Sequence, residues 1–195
     1  MQQLPQVLND IIQQRRSVKP NQFKVGEKIP DDIIIQALIN ATWAPTHGRT
    51  EPWHFIVYTG EGIKKLSNFQ AEQYKQQSGE KFTEAKYLKL KENYLKASHV
   101  IAICLKRDPA TKIPEIEEIA AVAASVQNLA LTLHAYGYGG YWTTGGVTYY
   151  DSAKPFFNLT ENDKLMGFYL AAVVAEIPST PLRKSVEFKS EWVDE

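Results

Sequence analysis

Apolar positions in the first stretch of the chain recur at helical spacing. Val7, Leu8, Ile11 and Ile12 share one face, which predicts an amphipathic helix over residues 4–15. That helix runs into Arg15-Arg16-Ser17-Val18-Lys19-Pro20, where the proline turns the chain extended. A second helix is predicted from Asp31 or Asp32, whose charge suits a helix start. Ile33, Ile34, Ala37, Leu38 and Ala41 form its buried stripe, and Pro45 limits it. Trp53 to Tyr58 alternates as a strand. Residues 61–96 keep a helical period but are highly charged, so one or two exposed helices are expected over the core. His99 to Leu105 is a short apolar run of the buried-strand type, with Cys104 as packing.

Ile119 to Tyr150 contains no Asp, Glu, Lys or Arg. Its first part, to about Tyr136, reads as an alanine-rich helix begun by Glu115, Glu117 and Glu118. Ser125, Gln127, Asn128, Thr132 and His134 interrupt it, short of the ~20 predominantly apolar residues a membrane span needs. A helix apolar nearly all round is instead buried. So short a chain has limited mass to bury it from every side, which implies a subunit interface. At the other end, Val186, Phe188 and Trp192 alternate with Glu187, Lys189 and Glu191 as in a half-buried strand. Pro178 and Pro181 before it favour an extended arm over a compact turn.

Composition narrows the function classes. The 195 residues fit one domain, 1–195, and 22 basic residues balance 22 acidic ones. A neutral total argues against electrostatic binding to nucleic acid or an anionic membrane as the main activity. There is no N-terminal segment of signal type, and the single Cys104 excludes an internal disulfide, so the cytoplasm is the expected location. The four histidines are not arranged as H-E-x-x-H, and one cysteine permits no zinc knuckle, so no metal is expected. G-x-S-x-G and the phosphate-binding G-x-x-x-x-G-K-[ST] are both absent.

Three stretches carry candidate chemistry. Between Pro45 and Pro52 lies a loop holding His47, Arg49 and Glu51, flanked by Trp43 and Trp53. It suits a planar, partly polar ligand, or equally a plain helix-to-strand connection with two packed tryptophans. Arg15, Arg16 and Ser17 make a compact anion site, since arginine grips phosphate with paired hydrogen bonds. They also read as cations complementing a helix C-terminus. Gly137-Tyr-Gly-Gly-Tyr-Trp-Thr-Thr-Gly-Gly146 is no dinucleotide fingerprint, because Trp142 takes the third glycine's place and the run follows a helix. Gly145-Gly146 lets backbone approach a flat ligand, and Gly137 suits a Schellman-type helix end.

Taken in order, R-R-S, A-P-x-H-x-x-x-x-P-W and a long neutral helix followed by G-x-G-G-x-W-x-x-G resemble the nitroreductase family. Arg49 stands where many members have Asn, and Glu51 replaces the usual Gln. Met166 to Glu176 resembles the family's later core strand. The resemblance implies an α+β fold, a mixed and largely antiparallel sheet between helices in three layers, as an intertwined homodimer. It implies a C-terminal arm, 181–195, crossing to the partner to add a strand to its sheet. Arg15, Arg16 and Ser17 would hold the phosphate and ribityl chain of FMN, with Lys19 a candidate for the flavin's pyrimidine edge. Trp43 and His47 would reach a flavin bound mainly by the other subunit, Trp142, Thr143 and Thr144 would line its remaining side, and Arg183-Lys184 are further phosphate candidates. The implied activity is electron transfer from NAD(P)H through FMN to nitro compounds, quinones or similar small acceptors, with ping-pong kinetics and no catalytic side chain. The alternatives are a non-catalytic FMN carrier or sensor and a structural dimer with a degenerate site.

Overall fold

All seven residues from His99 to Leu105 are buried, and a strand with no exposed face needs cover on both sides. The computed structural model, which describes residues 3–110 and 112–194, shows how that cover is supplied. In chain order it contains α1 (Gln3–Gln14), α2 (Asp31–Ala41), β1 (Trp53–Tyr58), α3 (Glu61–Ser78), α4 (Glu84–Asn93), β2 (His99–Leu105), α5 (Glu115–Ala135), β3 (Gly139–Thr143) and β4 (Lys164–Ala172), with short 3-10 turns between them. The strands form one sheet in the order β1-β2-β4-β3, every neighbouring pair antiparallel. Among the described residues the single parallel pairing is a bridge between Ser17 and Gly140 at the outer edge of β3.

Strand periodicity sorts the core into two halves. Val100, Ala102 and Cys104 join Phe168, Leu170 and Ala172 on one face, packed with Ile63 and Leu66 of α3 and with Phe157. Ile101, Ile103 and Leu105 join Tyr169 and Ala171 on the other, against Ile34 and Ala37 of α2 and Val122, Val126 and Leu129 of α5. The expected three layers are present. Burial pushes the Cys104 thiol up to about 12, so at neutral pH it stays an inert thiol within the packing.

α5 is the one described helix long and apolar enough, by length and composition, to cross a membrane. Its burial instead comes from α2 and the sheet, which makes it a core helix. Its start is anchored by a buried ion pair: Arg107 Nε donates to Glu118 Oε2 at 2.6 Å, and the Asp108 N–H donates to Oε1 at 3.2 Å. Such a carboxylate is tolerable only because both oxygens have partners. Its end is a Schellman turn, with Tyr138 N–H donating to Leu133 O and Gly137 N–H to His134 O, both at 2.9 Å. Gly137 takes the left-handed backbone, φ 82°, that this turn requires.

Two surfaces stay uncovered within one chain. Leu4, Val7, Leu8 and Ile12 of α1 are exposed, and so are Ile35 and Ile39 of α2. The tail differs from the strand expected of its alternation. Val186–Phe188 is a short 3-10 turn, capped by Ser185 Oγ accepting from the Glu187 N–H. Ser190 Oγ closes the turn by donating to Val186 O at 3.0 Å. With no neighbouring strand to satisfy its backbone, the segment satisfies itself locally. Phe188 and Trp192 remain exposed, and Glu195 lies outside the described residues.

His99 ties the start of α2 to the sheet. Ile29 N–H donates to Ser98 Oγ at 2.7 Å, Ser98 Oγ lies 2.9 Å from His99 Nδ1, and His99 Nε2 lies 3.0 Å from Asp31 Oδ1. One assignment satisfies every group: the serine hydroxyl donates to Nδ1, and the neutral imidazole donates Nε2–H to the carboxylate. Burial lowers the His99 pKa, outweighing the opposite pull of Asp31. His54 is lowered by burial and Lys106, and His134 by burial and then Arg15 and Arg16. Each histidine takes up its proton near its ordinary value of 6.5 when unfolded and only below that when native. Stability is therefore fully present above that value and declines as pH falls through it. Urea unfolding should give a constant free energy from pH 8 to 7.5 and a progressive loss toward pH 5, at most about 1.4 kcal/mol per pH unit from His99. His99→Gln should flatten that slope, and stability that rose on acidification would contradict the assignment.

Candidate functional site

Beyond α1 the chain is extended, so residues 15, 16 and 17 point alternately to opposite sides. Ser17 bridges β3, and the Val18 N–H donates to Gly140 O at 3.0 Å. Only glycine allows this approach. A Cβ on Gly139 would stand 2.9 Å from the Val18 side chain, while one on Gly140 would stand 1.9 Å from Leu170 O, so Gly140 serves the close pairing of β3 with β4. Arg15 and Ser17 consequently line one cleft of about 190 Å³ with Ala123 and Gln127 of α5, Trp142 of β3 and Tyr169 of β4. Arg15 supplies its only formal charge. A cleft with a guanidinium, a serine hydroxyl and no carboxylate favours an anion.

Arg16 faces the other way. Its Nη1 donates to Gln13 O at 2.6 Å and to Arg15 O at 2.9 Å, while Nη2 donates to Thr180 Oγ1 at 2.8 Å. The expected trio is therefore divided: Arg15 and Ser17 share a cleft, whereas Arg16 fastens the helix end to the C-terminal segment.

Trp142 is fixed by an irregularity in β4. The β2–β4 register shifts between Ile103, opposite Gly167, and Cys104, opposite Leu165, leaving Met166 as the extra residue of a bulge. Trp142 Nε1 donates to Met166 O at 2.8 Å. Gly167 sits at φ 113°, and a Cβ there would meet Thr143 O at 2.4 Å and Trp142 Nε1 at 2.9 Å. Beyond Trp142, Thr143 and Thr144 lead to Gly145 and Gly146, whose missing Cβ positions face open space. Thr143 and Thr144 line a neighbouring cleft under α3 and α4, and Trp142 and Thr144 line a third beside Met166. Three clefts thus meet around β3.

The loop after α2 stands apart from them. Trp43 is 82% exposed. His47 Nδ1 lies 2.5 Å from Glu117 Oε2 in the first turn of α5. Gly48, Arg49 and Glu51 all adopt positive φ, at 62°, 57° and 44°, a cost for the two that carry side chains. Thr46 Oγ1 holds the loop, 3.1 Å from Thr50 Oγ1 and accepting from the Glu51 N–H at 3.3 Å. None of Trp43, His47, Lys19, Arg183 and Lys184 lines the Arg15–Ser17 cleft of its own chain.

Sequence reasoning missed Tyr141 and Tyr169 as cleft walls and Glu117 as the partner of His47. Ala123 and Ala130, seven residues apart on α5, carried a usable signal, since that spacing puts two small residues on one helix face.

Comparison with known proteins gives consistent matches. The sequence model of the nitroreductase family matches residues 12–173. A Bacillus subtilis protein named "Putative NAD(P)H nitroreductase YfhC" is 30% identical over 183 residues, covering 91% of each chain. The crystal structure of a nitroreductase-like family protein from Bacillus cereus superposes with a TM-score of 0.81 at 28% identity, covering 96% of both chains. A structure from Desulfovibrio desulfuricans, described as a nitroreductase in complex with FMN, shares the fold with a TM-score of 0.73 at 20% identity. The overlap there is 96% of this chain and 98% of that one.

The bulge generates a direct test. Gly167→Ala must displace the Thr143 carbonyl or the Trp142 indole, because neither backbone nor a half-buried ring held by its own hydrogen bond can yield by an ångström cheaply. A loss of roughly 2–4 kcal/mol in urea unfolding is expected, together with a shifted tryptophan emission. Unchanged stability and emission would show that β3 is not held by the bulge.

Proposed function

The chain belongs to the nitroreductase family, a family of oxidoreductases, and from that premise we propose that it is an FMN-dependent NAD(P)H oxidoreductase working as a homodimer in the cytoplasm. The observation that carries this reading is the Arg15–Ser17 cleft, where one guanidinium and one hydroxyl meet an uncharged wall of α5.

The residues suit the cofactor. Arg15 and Ser17, which share one cleft, would hold its phosphate by charge-assisted hydrogen bonds. Trp142 walls the same cleft, and Thr143 to Gly146 offer open backbone to a flat ring's edge. Val126 and Ala130 add apolar lining to the cleft. When bound, FMN supplies the redox chemistry, taking hydride from NAD(P)H and delivering electrons to a small acceptor such as a nitro compound or a quinone in two alternating half-reactions. Trp43 and His47 do not line their own chain's cleft, which suits the expectation that they serve the other subunit's flavin. Glu117 then acts by orienting His47. The exposed apolar faces of α1 and α2 suit a subunit interface of the kind that would bring this loop across.

Anaerobic titration tests the reading. The purified protein should be yellow, and NADH or NADPH should bleach it. Yellow protein that neither nucleotide bleaches would be a carrier, and colourless protein that takes up no FMN would be neither. In the same assay Arg15→Ala with Ser17→Ala should weaken FMN binding roughly 10²–10⁴-fold, taking ~1.5–3 kcal/mol for each charge-assisted contact. Arg16→Ala should leave affinity within a few-fold, and equal losses in the two variants would refute the division between the arginines.

The C-terminal arm belongs to the same proposal. β1 is an edge strand with no described partner on its outer side, and the tail of one chain exposes Phe188 and Trp192. Residues 181–195 crossing to the partner would resolve both exposures. Truncation after Pro181 should weaken dimerisation, because burying each aromatic is worth about 2–3 kcal/mol. FMN occupancy should fall with it. Sedimentation at low micromolar concentration reads the outcome, and a truncated protein that stays dimeric and yellow would assign the tail to its own subunit.

A further inference from the structure

The cleft under α3 and α4 is built differently from the Arg15–Ser17 cleft. It encloses about 300 Å³, room for a substituted single ring. Tyr74, Tyr94 and Tyr141 wall it with aromatic surface, and Leu90 and Val147 add apolar contact. Its polar lining contains one formal charge, Lys86, and no carboxylate. Lys86 Nζ stands 4.5 Å from the centre of the Tyr74 ring. That tyrosine is fixed in turn, its hydroxyl donating to Lys81 O and accepting from the Thr83 N–H, both at 3.0 Å. Facing the same space is Gln70, 4% exposed, whose amide Nε2 has no hydrogen-bond partner. An amide donor left bare in a buried position is costly, and a ligand oxygen would satisfy it. Two donors therefore lie in an aromatic cleft without a competing acid.

Position gives the cleft its connection to the proposed activity. Thr143, Thr144 and Gly145 form one side of it, and Tyr141 lines both this cleft and the one holding Arg15 and Ser17. Gly145 and Gly146 add no side chain to this wall of the cleft. A ligand here would lie against the strand exit that borders the proposed flavin.

We propose that this cleft binds a single-ring aromatic ligand bearing an anionic oxygen group, such as a carboxylate, and that it selects such molecules as electron acceptors through Lys86 and the Gln70 amide. The second half rests on the oxidoreductase reading; the binding half does not. Benzoate and benzamide, alike in shape and different in charge, are the probes, with binding followed by protein fluorescence in the protein as purified. Benzoate should bind about threefold to tenfold more tightly than benzamide, the range expected for one partly exposed ammonium. Lys86→Met should erase that preference, and because Lys86 is exposed on α4 the variant carries little risk to folding. Gln70→Leu should weaken both probes. With acceptors, 4-nitrobenzoate should lose its advantage in KM over nitrobenzene in the Lys86→Met variant. Equal affinity for benzoate and benzamide, or a preference that survives Lys86→Met, overturns the proposal. Lys86-dependent benzoate binding in a protein that NAD(P)H cannot reduce would overturn the oxidoreductase reading and its acceptor role while leaving the anion site standing.

Discussion

Double-sided burial of β2 and β4 is the constraint on which the rest of the molecule depends. Both strands are apolar on each face, so helices must cover both, and α2 with α5 on one side and α3 on the other supply that cover. A sheet sealed in this way has no open face for a ligand. What remains is its edge, and the clefts gather around β3 for that reason. Chemistry is thus excluded from the middle of the sheet by the packing that stabilises it.

The edge is usable because three glycines allow backbones to touch there. Gly139 admits the segment carrying Ser17, Gly140 admits the β4 backbone at Leu170, and Gly167 admits the end of β3 against the bulge in β4. The bulge in turn aims the Met166 carbonyl at the Trp142 indole. A local fault in one strand thereby sets the orientation of a side chain on the next, the use to which bulges beside functional sites are commonly put. The loop after α2 follows a different logic. It holds Arg49 and Glu51 in left-handed backbone under a single threonine's hydrogen bonds, a conformation that local sequence alone would not choose.

Much of this was legible in the chain itself. Helical spacing located α1 and α2, an uncharged alanine-rich run behind three glutamates located α5, alternation located β1 and an apolar run located β2, because each signal is local. The helix end at Gly137 was readable for the same reason. Where the pattern misled, the missing information was non-local. The tail alternates like a strand, yet a strand needs a neighbour, and within one chain Val186 to Phe188 closes into a turn. Arg15 and Arg16 look equivalent as adjacent letters, and only the bridge from Ser17 to Gly140 reveals that they point to opposite sides. Tyr169 reads as core in sequence and is buried, yet its ring borders the anion cleft. Composition could not distinguish those two roles.

The Cys104 thiol, sealed in β2 and held far from ionisation, has a practical corollary. A cysteine introduced anywhere on the surface would be the only thiol able to react with a maleimide near neutral pH. The chain is in effect a cysteine-free background supplied by its own packing. A fluorophore or spin label could be placed at one chosen position on the tail or the loop after α2 with no native residue removed first. The proposed pairing of subunits could then be tested by distance measurement on a protein whose core had not been altered.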